Sequence, residues 1–430
     1  MCIIAQHAVV VVDPVSTGLH IAREVIQRGY RLIILHSSDI EKPACIANMP
    51  ADVADHAVAE IHHSGLESTM VALQPFSIVG VLAGCETGVT LADHVSDRLG
   101  LATNGAAGAV ARRNKYVMGE QIRAAGLRAV KQCNATTFAQ AEAFITNELK
   151  PSPFEVIVKP VDSAGSDDVF LCKSMDDVHR AFDHIQGHLN QLGLMNMAAL
   201  VQEYLVGTEY VVDTVSRHGE HKVVAMWEYD KGLANGAPFV YYAVRLVDAT
   251  SPKHIAMMEY VLKVLDALHI VHGPSHAEVK WVRGEPCLVE VGARCHGNGG
   301  YFIRTVDKCI GYNQVTATVD AYFDPAAFAA LPAFPRALRA HGCEVNLISH
   351  DAGVIETVPG MDSVGKLASY NFSTQKYGAG DVITPTVDVF TMAGSIWLLH
   401  ENKDTLEQDI KRIRALERRG FWTLKPAAMA

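Results

Sequence analysis

Short apolar runs separated by amphipathic stretches dominate the first hundred residues. IIAQHAVVVV (3–12), RLIILH (31–36) and SIVGVLAG (77–84) are rich in β-branched residues and read as buried strands. Between the first two, a polar turn from Asp13 to Gly18 leads into a helix over 19–29 that stops at Gly29. After the third comes a helix over 87–99, with Val89, Ala92, Val95 and Leu99 at helical spacing and Gly100 as its stop. Strands alternating with helices predict a parallel α/β sheet over 1–112, with ligand-binding loops at the strand C-termini.

A helix carrying Lys115, Met118 and Ile122 follows and ends at Gly126, and then the pattern changes. Residues 155–160, 167–172, 199–205 and 209–216 read as strands, with one amphipathic helix near 174–190. A helix over 252–269 would bury Ile255, Met258, Leu262 and Leu265, and two strands, 275–282 and 286–292, come next. The last hundred residues read as short strands and turns, with turns at Pro359-Gly360 and 378–380, then a helix at 404–418. The stretch from Trp227 to Tyr242, with Lys231 and the Tyr241-Tyr242 pair, reads as part core and part loop, with pocket lining as the alternative.

Composition narrows the function. Lys plus Arg is 37 against 47 for Asp plus Glu, a net charge of −10 with no long basic run, which argues against a non-specific nucleic-acid binder. The basic residues at 411–419 read as a solvated helix end. No apolar run approaches the roughly 18–20 residues of a membrane helix, which argues against a membrane role. The N-terminal run lacks a charged start and a cleavage site, so it reads as a strand and not as a signal peptide. Nine scattered cysteines without a CxxC pair point to inert thiols in a reducing cytoplasm.

Two places carry chemistry. The strands 275–282 and 286–292 flank Arg283-Gly284-Glu285, and a three-residue hairpin loop there puts Glu278 directly opposite Glu290. Opposed carboxylates destabilise a sheet unless a cation joins them, and hard oxygen ligands suit Mg2+; a solvated pair is the alternative. Arg294 lies four residues beyond Glu290, before the Gly-rich stretch Gly297-Asn298-Gly299-Gly300, and suits an anion. The other place is VKPVDSAGSDDVF (158–170), where Lys159 ends an apolar strand ahead of a small, flexible loop, 162–166. The loop would cover phosphates but has no Walker-type GKS or GKT; a hairpin turn with a snorkelling Lys is the alternative.

Five segments, taken in order, resemble the ATP-grasp carboxylate–amine ligases. They are RRNKYVMGEQIRAAGL (112–127), VIVKPVDSAGSDDV (156–169), VQEYLVGTEYVVD (201–213), HAEVKW (276–281) and LVEVGAR (288–294). AGCETGVTLAD (83–93) and EVGARCHG (290–297) are similar to the dipeptide-forming L-amino acid ligases within that family. The resemblance implies an ATP-grasp fold of the α/β (α+β) class. Its expected parts are an N-terminal parallel α/β domain (1–112), a strand-rich lid lobe (113–205) and a C-terminal lobe with antiparallel strands (206–430).

The resemblance also implies roles. Lys115 and Lys159 would contact ATP phosphates, and Ser163, Gly165 and Ser166 belong to the mobile loop above them. Gln202, Glu203 and Leu205 lie in the hinge beside adenine, and Glu209 would accept the ribose hydroxyls. Glu278 and Glu290 would hold Mg2+, for which Mn2+ would substitute, and Arg294 would hold an acyl phosphate. Glu86 would grip a substrate amino group, Gly297 would border the oxyanion, and Asn298 would limit the second substrate. Many family members have Asn where this chain has Gly292, which leaves a second ion fewer ligands.

The activity so implied is ATP-dependent amide formation between amino acids through an acyl phosphate, in a cytoplasmic enzyme that is neither nucleic-acid-bound nor membrane-bound, and the resemblance favours a homodimer. A ligase or carboxylase acting on a non-amino acid carboxylate, and a non-catalytic ATP sensor, remain the alternatives.

Overall fold

The computed structural model describes residues 6–37, 50–163, 165–191 and 193–425. The first part of the apolar run at 3–12 and Ala164 of the loop at 162–166 lie outside the described residues.

The three β-branched runs of the first hundred residues pair into a parallel sheet with a fourth, edge strand not expected from the sequence, Ala57–His62. Its order is Ala57–His62, Arg31–His36, His7–Val12, Ser77–Ala83. Strand order reverses between the strands His7–Val12 and Ser77–Ala83. The loops leaving their C-terminal ends, Asp13–Thr17 and Gly84–Gly88, therefore open a crevice of the kind that binds ligands in such sheets. Asp13 is fully buried there and stitches the loops together: it accepts from the Ser37 amide at 3.0 Å and from the hydroxyls of Ser37 and Thr87.

A second sheet, antiparallel, has the order Gln132–Ala135, Ala199–Glu203, Val156–Pro160, Phe170–Cys172. Its inner face packs against the helices Phe138–Phe144 and Met175–Ile185 through Phe144, Val156, Val158, Val178, Phe182 and Val201. The largest sheet has eight antiparallel strands. From edge to edge they are Glu285–Gly292, Gly273–Val282, Glu209–Arg217, Glu220–Ala234, Ala237–Leu246, His341–Asn346, Gly394–His400 and Tyr370–Gln375. A three-stranded sheet near the C-terminus completes the fold. Among the described residues, no helix is long and apolar enough to cross a membrane.

Four sequence expectations need correction. Trp227 to Tyr242 is not part loop: it falls within a long hairpin, Glu220–Ala234 with Ala237–Leu246, turned at Asn235-Gly236. The helix Pro252–Ala267 buries Met257, Met258, Val261, Val264 and Leu265 while Ile255 is 37% exposed, so the true apolar stripe is rotated from the predicted one. Pro359-Gly360 opens the helix Pro359–Val364, since Pro suits a first helical turn. The hairpin bearing the two glutamates has a two-residue loop. Val282 pairs with Glu285, Arg283 and Gly284 both have positive φ (53° and 90°), and a bulge after Val279↔Leu288 shifts the register by one. That shift restores the expected pairing of Glu278 with Glu290.

Candidate active site

A cavity lies between the second sheet and the edge of the eight-stranded one. It is lined by eleven of the residues expected from sequence: Lys115, Lys159, Ser163, Gly165, Ser166, Gln202, Glu203, Leu205, Glu209, Glu278 and Glu290. Lys159 sits near the end of the fully buried strand Val156–Pro160 and is 5% exposed. Burial pulls its ammonium down to a pKa of about 8, with Glu290, Glu278 and Glu209 opposing that shift.

Glu278 and Glu290 face each other across the strand pair. Burial opposes ionisation of both. Lys231 and His276 outweigh it at Glu278, and Lys115 and Lys159 do so at Glu290, so both stay below the usual carboxylate range. The Lys115 Nζ lies 3.1 Å from Glu290 Oε2 and donates to the Ser163 carbonyl. The local sequence places Lys115 firmly, because Asn114 caps the helix Lys115–Ala124 by accepting from the Val117 amide.

The loop after Lys159 is held by its own acids. Ser163 Oγ donates to Asp167 at 2.7 Å, Arg113 donates to Asp162 at 2.7 Å, and Gly165, Ser166 and Asp168 all have positive φ. At the hinge, the side chains of Gln202 and Glu203 are committed to protein partners. Gln202 donates to Gln132 at 2.9 Å, and Glu203 accepts from Arg128 and the Lys131 amide, each at 2.8 Å.

Sequence reasoning gave pocket lining only as the alternative for the stretch from Trp227 to Tyr242, and that stretch supplies most of the far wall. Lys231, Phe239 and Tyr241 come from the long hairpin, and Tyr204 and Lys280 complete the wall. Lys231 donates to Glu209 and lies 4.2 Å from the centre of the Tyr241 ring, and Lys280 is 3.6 Å from Glu209. Although partial burial disfavours its charge, Glu209 raises the pKa of half-buried Lys231 well above the ordinary value. The signal was present in the strand-rich composition of 220–246, but the cross-strand partner of Lys231 is set only by register.

Four expected residues do not line the cavity. Two of them, Glu86 and Arg294, form an ion pair beside it. Glu86 sits in the crevice loop of the parallel sheet; Arg294 Nε donates to its Oε2 at 2.7 Å, and Arg113 donates to Oε1. Burial opposes ionisation of Glu86, but Arg113, Arg294 and Lys115 carry its pKa down to about 2. Arg294 also interacts electrostatically with Glu290 and Glu278. Gly292 has a steric reason here: a Cβ on it would lie 2.7 Å from Glu86 Oε2.

The other two, Gly297 and Asn298, belong to the turn after Arg294, which is clasped from two sides. From the first crevice loop, Thr17 donates to the His296 and Gly297 carbonyls, and Ser16 accepts from the Gly299 amide at 2.9 Å. From the eight-stranded sheet, buried Glu344 accepts from Asn298. Cys295 is buried, and that burial pushes its thiol up to about 12, which disfavours the nucleophilic thiolate.

Residues 152–301 match the family model described as the ATP-grasp domain. The chain is 29% identical to dapdiamide A synthase of Enterobacter agglomerans over 417 residues, 96% of each chain. It superposes on the crystal structure of an L-amino acid ligase from Bacillus licheniformis with a TM-score of 0.74 and 17% identity, covering 95% of this chain and 97% of that one. A carboxyaminoimidazole ribonucleotide synthase from Aspergillus clavatus, solved with ATP, matches with a TM-score of 0.67 and 15% identity, covering 96% of this chain and 99% of that one. The fold is the ATP-grasp fold.

Proposed function

We propose that this ATP-grasp protein is an ATP-dependent ligase that joins an amino acid carboxylate to an amine, a second amino acid, through an acyl phosphate, releasing ADP and phosphate. The observation that carries the reading is one cavity edge where Lys159, Glu278 and Glu290 meet, with the Glu86–Arg294 pair directly beside it. The amide-forming names of relatives, dapdiamide A synthase and L-amino acid ligase, support it. On this reading 1–112 supplies the substrate side, 113–205 the lid, and 206–430 the lobe bearing the two glutamates.

The donor set suits the implied ion. Two opposed, half-buried, ionised carboxylates are hard oxygen ligands whose mutual repulsion a divalent cation relieves, so Glu278 and Glu290 would hold Mg2+ or Mn2+. When bound, the ion would neutralise charge on the nucleotide phosphates. Lys159 and Lys115 neutralise the transferring phosphoryl oxygens, and Ser163, Gly165 and Ser166 cover them and exclude water from the labile acyl phosphate. Gln202 and Glu203 meet the adenine through their backbone, since their side chains are engaged elsewhere. Glu209, fixed by Lys231 and Lys280, accepts the ribose hydroxyls.

Arg294 holds the acyl phosphate and, with the Gly297-Asn298 end of the turn at 297–300, stabilises the oxyanion as the amine attacks, since the Gly299 and Gly300 amides donate to Ser16 and to the Gly297 carbonyl. Glu86 uses two of its roughly four lone-pair positions on Arg113 and Arg294, and the remainder accept a substrate ammonium. Asn298 bounds the second substrate.

A second reading follows from the same pair. If Glu86 serves only to fix Arg294, the substrate carries no amino group and the enzyme activates another carboxylate. The test is ADP and phosphate release with Mg2+ and ATP, offering amino acids singly and in pairs, with mass spectrometry of the products. Pair-dependent release and a product lighter than the sum by one water is the expected outcome. Glu86→Gln then raises the KM of one amino acid about tenfold or more, a loss of about 1.4 kcal/mol, with the KM for ATP little changed. Unchanged amino acid KM values would leave Glu86 only the task of fixing Arg294, and no release from any amino acid pair would favour the second reading.

A further inference from the structure

Asp213 is 1% exposed, on the strand Glu209–Arg217 beneath the site, and its carboxylate accepts three N–H groups. His276 Nδ1 donates to Oδ1 at 2.9 Å, His296 Nδ1 to Oδ2 at 3.0 Å, and Trp227 Nε1 to Oδ2 at 2.7 Å. The two imidazoles belong to different parts of the site. His276 is cross-strand neighbour to Asp213 and precedes Glu278 by two residues; its Nε2 lies 3.7 Å from Glu278 Oε1 and 3.4 Å from the Tyr229 hydroxyl. His296 follows Arg294 by two residues, and its ring meets that of His276 edge-on at 4.5 Å.

Packing alone would not select a carboxylate here. A buried carboxylate is costly to desolvate, and an apolar side chain fills a core at less cost. Three converging donors require an acceptor, and a carboxylate supplies enough lone pairs for all of them.

We propose that Asp213 is a positioning residue. By fixing the rings of His276 and His296 together, it sets the strand bearing Glu278 and the turn bearing Arg294 in one mutual geometry. The metal–phosphate side and the acyl side of the site are thus aligned by a single buried group. The proposal rests on the roles given above to Glu278 and Arg294.

The test uses the full chain with Asp213→Asn, which keeps the shape but leaves one donor unmatched, and with His276→Phe and His296→Phe, which remove one arm each. Cooperative urea unfolding, read by Trp fluorescence, establishes folding. ATP binding as a function of Mg2+ concentration, without amino acids, reads the Glu278 side; kcat reads the Arg294 side.

For Asp213→Asn the expected result is a rise of about tenfold in the Mg2+ needed for half-maximal ATP binding and a fall of at least tenfold in kcat, the size typical of groups that orient metal ligands. His276→Phe moves mainly the Mg2+ dependence and His296→Phe mainly kcat. A folded Asp213→Asn protein with both readouts within threefold of wild type overturns the proposal. If Asp213→Asn does not fold, His296→Phe decides: lowered kcat with ATP binding intact supports the proposal, and unchanged kcat overturns it. If the wild type releases ADP with no substrate pair, the ligase reading has failed, and the Mg2+ dependence of ATP binding still decides this one.

Discussion

At the scale of single residues, the site is a set of charges kept ionised, or kept neutral, by their neighbours. Glu344 is the exception to pairing by opposite charge. It is 2% exposed and meets only neutral groups, Asn298 and Ser395, so burial pushes its pKa from 4.5 up to about 7, against those two hydrogen bonds. The folded chain therefore binds a proton that the unfolded chain releases near pH 4.5. This group's contribution is intact below pH 4.5 and is lost as the pH rises towards 7, by up to about 3 kcal/mol. Glu344→Gln keeps an acceptor for Asn298 and removes the titration. The melting temperature of the variant should match wild type near pH 5 and exceed it at pH 8. A difference that stays constant with pH would show that Glu344 does not titrate in this range. Gly292 belongs to the same scale: the residue that looks like a lost metal ligand is the space that Glu86 occupies.

At the scale of elements, the glutamate hairpin shows what a sequence tells and what it hides. The opposition of Glu278 and Glu290 is readable, but from a three-residue loop, whereas the chain uses a two-residue turn and recovers the register with a bulge beyond Val279 and Leu288. Turn type and bulge trade off against each other, and alternation of apolar residues does not distinguish them. Three strands of the parallel sheet are legible because each is a continuous apolar run, whereas the edge strand Ala57–His62 is not, since it alternates half-buried and exposed residues and carries Glu60 and His62. Lys231 and Tyr241 are legible only as an alternative, since their place in the cavity depends on the register of strands whose pairing the sequence does not mark. Asp213 is hidden for a related reason, because its two histidines lie 63 and 83 residues away. The turn itself gives a prediction. Arg283 adopts φ 53°, a left-handed conformation that disfavours a side chain with a Cβ and that Asn tolerates best after Gly. Arg283→Asn, giving Asn followed by Gly284, should raise the unfolding free energy by up to about 1 kcal/mol in urea titrations and leave kcat unchanged. A loss of stability would show that Arg283 makes a compensating surface contact.

At the scale of the whole molecule, the Glu86–Arg294 contact is made between a loop of the parallel sheet and a turn beyond the eight-stranded sheet, so the proposed catalysis would depend on how those two sheets are held together. Segment 104–121 does much of the holding. Asn104 accepts from the Val271 and His272 amides, both at 2.8 Å, and Gln121 donates to the Ala267 carbonyl at 2.7 Å. At its centre is Arg112, completely buried, which pairs with Asp93 at 2.8 Å behind the parallel sheet and donates to the carbonyls of Gly105 and Leu268. Leu268 caps the helix that packs under the eight-stranded sheet. A buried ion pair contributes little net stability by itself, because two desolvation costs offset its attraction, but removing one partner strands the other charge. Arg112→Met should therefore destabilise the chain by about 3–5 kcal/mol. If the loss comes from the stranded Asp93 carboxylate, adding Asp93→Asn should restore a substantial part of it, so that the double variant is more stable than Arg112→Met alone. Burial already raises the Asp93 pKa even with Arg112 present, so the stranded carboxyl should protonate readily and Arg112→Met should recover stability on going from pH 8 to pH 5. A double variant no more stable than the single one would place the loss in the missing bonds to Gly105 and Leu268, and would make Arg112 a clamp on two carbonyls instead of half of an ion pair.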